Sequence, residues 1–237
     1  MQLGVRDAAG LMNVSEKTIY RWIKQNKLPA YRINEQYRFS RAELLEWATA
    51  QKINVSAEIF GDSTQDETPF DSLADALRGS IHYRVGGTDK TSVLESVIQI
   101  MPLPQEVDRT FLLKVLLARE TMGSTAIGGG IAIPHVRNPI VMHITKPVVT
   151  LCFLETPIDF GALDGKPVHT LFAIISPTIR SHLSVLARLT FALRQSEFAA
   201  VISSQGSRDA ILQAVANVDA SLNMKNKALI ESRGSAE

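Results

Sequence analysis

With 237 residues, 45% of them apolar, the chain has a globular composition and enough sequence for one ordinary core or two unequal ones. A net charge of +1 excludes a global field aimed at nucleic acid or membrane, so any basic patch must be local. One cysteine, Cys152, excludes an intramolecular disulfide, and no apolar run forms a signal core or bilayer span, so a cytoplasmic protein without membrane contact is expected.

The first fifty residues carry eight Lys and Arg against five Asp and Glu, a local excess of +3. Val5, Ala8, Ala9 and Met12 mark one face of a short helix. Asn13-Val14-Ser15 breaks it, and Ser15 is a good N-cap for a second helix over Glu16–Gln25. There Ile19, Trp22 and Ile23 face inward. Lys17, Arg21 and Lys24 recur on another face with Thr18 beside them. Leu28–Ile33 and Tyr37-Arg38-Phe39, around a polar Asn34-Glu35-Gln36, read as a hairpin. Ser40 is placed to cap a closing helix with Ala42, Leu44, Leu45 and Trp47.

Two short helices, a tight turn, a cationic second helix and a following hairpin describe a helix-turn-helix with a wing. The runs Val5-Arg6-Asp7-Ala8-Ala9, Val14 to Ile23, Leu28 to Arg32 and Tyr37-Arg38-Phe39 resemble the excisionase-type, MerR-related winged helix-turn-helix. The resemblance implies DNA as a partner, with Ser15, Lys17, Thr18, Arg21, Arg32 and Arg38 at the contact positions. Glu35 departs from the pattern at the wing tip, where a carboxylate meets phosphate unfavourably. A unit of +3 makes few phosphate contacts, so tight operator binding is expected to need a homodimer or neighbouring sites.

Ala57 to Pro69 is acidic, polar and without period, which reads as a linker. From Phe70 to about Val218 helical and strand patterns alternate, the mark of an α/β layer fold. Helices are predicted from Asp71 to Leu77, over Lys90–Ile100, Asp108–Glu120, Ser181–Leu193 and Arg208–Val218. Buried strands are predicted over Val148–Leu154 and Thr170–Ile175. Asn223–Glu237 is polar and is expected to fray.

The most informative stretch is Gly128-Gly129-Gly130-Ile131-Ala132-Ile133-Pro134-His135. Proline stiffens the chain directly before the imidazole, and the glycines let backbone N–H groups approach an anion. That combination suits a phosphoryl-accepting histidine; it equally suits a β-hairpin with an incidental surface histidine.

Arg119-Glu120 before Gly123-Ser124-Thr125, then Gly130 to His135, Asp159-Phe160, Leu163 to Val168 and Ser181-His182-Leu183 resemble the enzyme IIA domain of the bacterial phosphotransferase system. The class is the fructose/mannitol one that includes nitrogen-related regulators. The implied fold is a mixed β-sheet flanked by helices over 70–218. It follows a winged helix-turn-helix over 1–50 and a linker over 51–69, and precedes a polar tail over 219–237. The resemblance places the phosphoryl acceptor at His135, a second site histidine at His182 and an arginine at Arg119. It also implies the histidine phosphocarrier protein as phosphodonor, and a phosphohistidine carrier rather than a turnover enzyme. Val136 stands where the family has glycine, and a β-branched residue resists positive φ.

No third ligand stands near the two histidines at metal-site spacing, so no metal and no cofactor is expected. His82, His143 and His169 lack a supporting motif. Cys152 reads as a small buried hydrophobe. The expected protein is a regulator that couples phosphorylation of His135 to DNA binding. Two other readings stay open. One is an enzyme IIA relay to another phosphotransferase component, with the N-terminal module not binding DNA. The other is a pocket that senses a protein partner without being phosphorylated.

Overall fold

The computed structural model describes residues 2–25, 27–33, 36–51, 53, 72–136 and 144–234. The expected linker lies outside them apart from Gln51 and Ile53, as do Glu35, Arg137 and His143.

The chain opens with β1 (Gln2–Leu3), α1 (Val5–Leu11) and α2 (Glu16–Lys24). Ser15 caps α2: its hydroxyl accepts from the Thr18 N–H at 3.2 Å and lies 3.0 Å from Thr18 Oγ1. The hairpin β2 (Tyr31–Ile33) and β3 (Gln36–Ser40) pairs antiparallel, and β1 joins β3 to complete a three-stranded sheet. α3 (Arg41–Ala50) closes the unit. Met12, Ile19, Phe39 and Leu44 are fully buried at its centre, and the Trp22 and Trp47 rings meet at 5.2 Å.

The second unit runs α4 (Leu73–Leu77), β4 (Ile81–Val85), α5 (Lys90–Ile100), α6 (Arg109–Thr121), β5 (Ala126–Gly128), β6 (Ile131–Ala132), β7 (Val148–Ile158) and β8 (Val168–Ile175). It ends with α7 (Ile179–Ala192), α8 (Ser196–Ser203) and α9 (Arg208–Gly234). The sheet order is β4-β7-β8-β6-β5. It is mixed: β4 with β7 and β6 with β8 are parallel, whereas β7 with β8 and β5 with β6 are antiparallel. Alternate residues of β8 feed two cores. Phe172 and Ile174 join the cluster under α4, α7, α8 and α9, while Leu171, Ala173 and Ile175 join that under α5 and α6. A strand covered on both faces reads as an unbroken apolar run, which is why its position shows in the sequence.

Several elements differ from expectation, β1 among them, which the sequence pattern did not predict. β4 and α8 were not predicted; β4 is short, with polar His82 and Arg84 between buried ends, too few residues for a clear period. The end expected to fray from Asn223 is helical to Gly234. Residues 219–233 contain neither Gly nor Pro and are rich in Ala, Leu, Lys and Asn, so nothing stops the helix that Val218 begins to leave.

The two units touch. α3 packs against α7 and reaches β5, and Leu183 of α7 is buried in the same cluster as Leu44 and Ala48. Among the described residues no helix is long and apolar enough to cross a membrane.

Candidate functional site

His135 is fixed by the sheet. The segment after β6 continues beside β8: the Ile174 N–H donates to the Pro134 carbonyl at 2.9 Å, and His135 pairs with Ile174 as a parallel bridge. Its Nδ1 lies 2.7 Å from the Ile133 carbonyl oxygen. A carbonyl only accepts, so Nδ1 carries the proton and the neutral ring keeps its lone pair on Nε2. His182 stands in the first turn of α7, where Thr178 Oγ1 accepts from the Ser181 N–H and Ser181 Oγ from the Thr178 N–H. The two imidazoles come together at 5.1 Å between centroids, tilted by 40°. Both are closed to solvent, His135 being 4% exposed and His182 2%.

The glycine run has a different first duty from the anion cradle the sequence suggests. Gly128, Gly129 and Gly130 all have positive φ, 80°, 67° and 77°, and turn the β5–β6 hairpin. The Gly129 N–H is spent on Asp164 Oδ2 at 2.8 Å, and Asp164 Oδ1 accepts from the Lys166 N–H at 3.2 Å. These bonds, Gly129's first, hold the Asp164 carboxyl below the usual carboxylate range. A Cβ on Gly130 would collide with the His169 ring.

Arg119 ends α6, and its Nη1 donates to the Gly123 carbonyl at 2.9 Å, tying the helix to the turn that leads into β5. The next residue, Glu120, is a buried brace that the sequence reading did not single out. It accepts from the Thr125 hydroxyl, from the Thr125 N–H at 3.3 Å and from Lys90 Nζ at 3.3 Å. Its signal is a lone carboxylate at a helical core position, which is rare without partners. Ser124 Oγ donates to the Phe160 carbonyl at 2.6 Å and accepts from the Ala126 N–H at 3.1 Å. Both hydroxyls thus hold the loop.

Val136 carries no strain. Among the described non-glycine residues positive φ is confined to Asn13, Arg84 and Gln205, and the Val136 side chain is buried in the core under α5 and α6. Val136→Gly should therefore destabilise the protein by about 3 kcal/mol, from lost apolar burial and added backbone freedom. Urea unfolding checks this, and an unchanged midpoint would contradict it. Cys152 is fully buried in β7, with its thiol pushed up to about 12 by burial. Burial, and secondarily the Arg208 charge, lower the His82 pKa. His169 Nδ1 lies 2.8 Å from Thr170 Oγ1. Among the described residues no cluster of three His, Cys, Asp or Glu could hold a metal.

On the first unit Lys17, Arg21 and Lys24 are exposed along one face of α2, with Ile19 buried opposite. The wing arginines do not act as a pair. Arg32 is paired across the hairpin with Tyr37 and Arg38 with Tyr31, so the two leave opposite faces. Tyr37 meets Tyr20 of α2 at 6.2 Å, which puts Arg32 on the side of α2. Arg38 bonds Gln36 Oε1 at 2.7 Å.

A sequence profile for the phosphoenolpyruvate-dependent sugar phosphotransferase system, EIIA 2, matches residues 78–218, and one for a helix-turn-helix domain matches residues 3–52. The chain is 35% identical over 138 residues to a nitrogen regulatory protein of Pseudomonas aeruginosa, covering 56% of this chain and 87% of that protein. It is 28% identical over 158 residues to the nitrogen regulatory protein of Escherichia coli, covering 66% and 96%. The crystal structure of the nitrogen regulatory protein IIA-Ntr from Neisseria meningitidis superposes with a TM-score of 0.52 at 25% identity, covering 60% of this chain and 98% of that one.

Proposed function

Because the chain belongs to the EIIA 2 family of the phosphoenolpyruvate-dependent sugar phosphotransferase system and carries a helix-turn-helix domain ahead of that part, we propose that it is a cytoplasmic regulator whose DNA binding responds to phosphorylation of His135. The observation that carries the reading is the ring of His135, anchored through Nδ1 on the Ile133 carbonyl at the end of the glycine–proline segment, with a second imidazole alongside.

In the proposed transfer the lone pair of Nε2 forms the new N–P bond. The P–N bond to the donor's histidine breaks, and its electron pair returns to that nitrogen. The proton stays on Nδ1 throughout, hydrogen-bonded to the Ile133 carbonyl. His182 donates a hydrogen bond to a phosphoryl oxygen, and the start of α7 adds the positive end of a helix dipole. Arg119, one turn from the β5 hairpin, offsets charge on the phosphoryl oxygens. The donor is the histidine phosphocarrier protein of the system.

DNA is gripped by the Lys17, Arg21 and Lys24 face with Ser15 and Thr18 at the helix start. Arg32 extends that face, and Arg38 contributes from the hairpin's other side. Arg21→Ala is expected to weaken DNA binding roughly tenfold and to flatten the salt slope by about one unit, which a titration at several salt concentrations reads. Coupling is tested by operator affinity before and after phosphorylation. Equal affinities would refute it, and no DNA binding in either state would favour the relay reading.

A further inference from the structure

We infer that the helix-turn-helix unit, docked through α3 on α7, is the closure of the phosphoacceptor site, so that this unit and the phosphodonor protein compete for one face of the molecule. The inference rests on the reading of His135 as acceptor and adds what controls access to it. Four observations carry it. α7, which holds His182, is buried almost all round: Val185, Leu186 and Leu189 face the sheet core, while Leu183 faces the first unit. A helix apolar on both sides lies between two layers, and here the outer layer is α3. Leu183 directly follows His182 and sits with Leu44 and Ala48 in the core of the first unit. α3 also reaches β5, whose hairpin leads straight into the His135 segment. Both imidazoles are buried in this arrangement, and a protein phosphodonor cannot reach a buried nitrogen.

The closed form does not hide the DNA face. Lys17, Arg21 and Lys24 remain exposed on α2 while α3 is docked. What docking closes is the acceptor, not the DNA reader. A phosphoryl group on His135 would bring up to about two negative charges beside the His182 ring, next in chain to the apolar Leu183 contact, and charge is costly to bury. Phosphorylation and docking therefore exclude one another. The 13 residues from Ala57 to Pro69 could span roughly 40 Å when extended, ample length for the unit to leave α7.

The test uses the full chain with Leu183→Glu on α7 and, independently, Ala48→Glu on α3, each checked for retained fold by circular dichroism. Carbethoxylation of His135 by diethyl pyrocarbonate, located by peptide mass, reports access without any phosphodonor. Phosphorylation from phosphoenolpyruvate through the general phosphotransferase proteins reports function. Both rates should rise about tenfold or more in both variants, as they must if the open form is a tenth of the wild-type population or less. Equal carbethoxylation in wild type and variants would overturn the closure. Faster carbethoxylation with no phosphorylation in any protein would support the closure and sink the acceptor reading instead.

Discussion

Replacing His135 by Ala is expected to abolish acid-labile phosphorylation of the chain. With phosphoenolpyruvate and the general phosphotransferase proteins, intact mass should show one added phosphoryl group on the wild type and none on His135→Ala. Loss should be complete because, among the described histidines, His135 alone combines an Nδ1 held on a backbone carbonyl with a second imidazole at 5.1 Å. The other described histidines lack that combination. His82 is half-buried on an edge strand with its pKa lowered, and His169 bonds Thr170 beneath the glycine turn. His182→Ala should retain phosphorylation but slow it, by about a hundredfold if the second ring donates to the transferring group. Phosphate retained on His135→Ala would move the acceptor elsewhere. An unchanged rate in His182→Ala would leave that residue a packing role only.

Removing the Asp219 carboxylate should cost more stability than any surface change in the second unit. Asp219 on α9 pairs with Arg188 of α7 at 3.3 Å, and the two side chains are 9% and 4% exposed. Its other oxygen accepts the Ala74 N–H at 3.0 Å, in the first turn of α4. One carboxylate thus ties three helices, including the one that carries His182. Asp219→Ala takes the carboxylate from a buried guanidinium, which keeps Asn223 Oδ1 at 3.3 Å, and strands the Ala74 backbone donor. Breaking such a pair from one side costs about 3–5 kcal/mol, read as a lower midpoint in urea. Asp219→Asn should cost less, because the amide oxygen can still take the Ala74 N–H. Equal loss in both variants would assign the effect to charge alone.

Much of this was legible beforehand because the signals are local. The cationic stripe of α2 repeats at helical spacing, and Ser15 announces its start. The runs that became β7 and β8 are apolar throughout because both faces are covered. The Gly128–His135 segment stands out by its glycine and proline punctuation. That punctuation left a hairpin and an anion cradle equally open; the structure shows the hairpin, with the Gly129 N–H going to Asp164, 35 residues away. Asp164 precedes Gly165 in a turn sequence, and nothing local says that it also clamps a second turn. The placement of the wing arginines was not legible either: Arg32 and Arg38 both fall on the predicted hairpin, and only its register shows that they leave opposite faces.

The sequence by itself determined two modules and the stiffened segment that presents His135, since capping, periodicity and proline stiffness act over a few residues. Tertiary structure brings His182 to His135 across 47 positions, as the family resemblance implies, and it alone decided that Asp219 completes a buried pair with Arg188 and that α3 lies over α7. Those outcomes depend on which apolar faces find each other once the layers stack. That choice is settled by burial summed over the whole molecule, and no short stretch of chain encodes it.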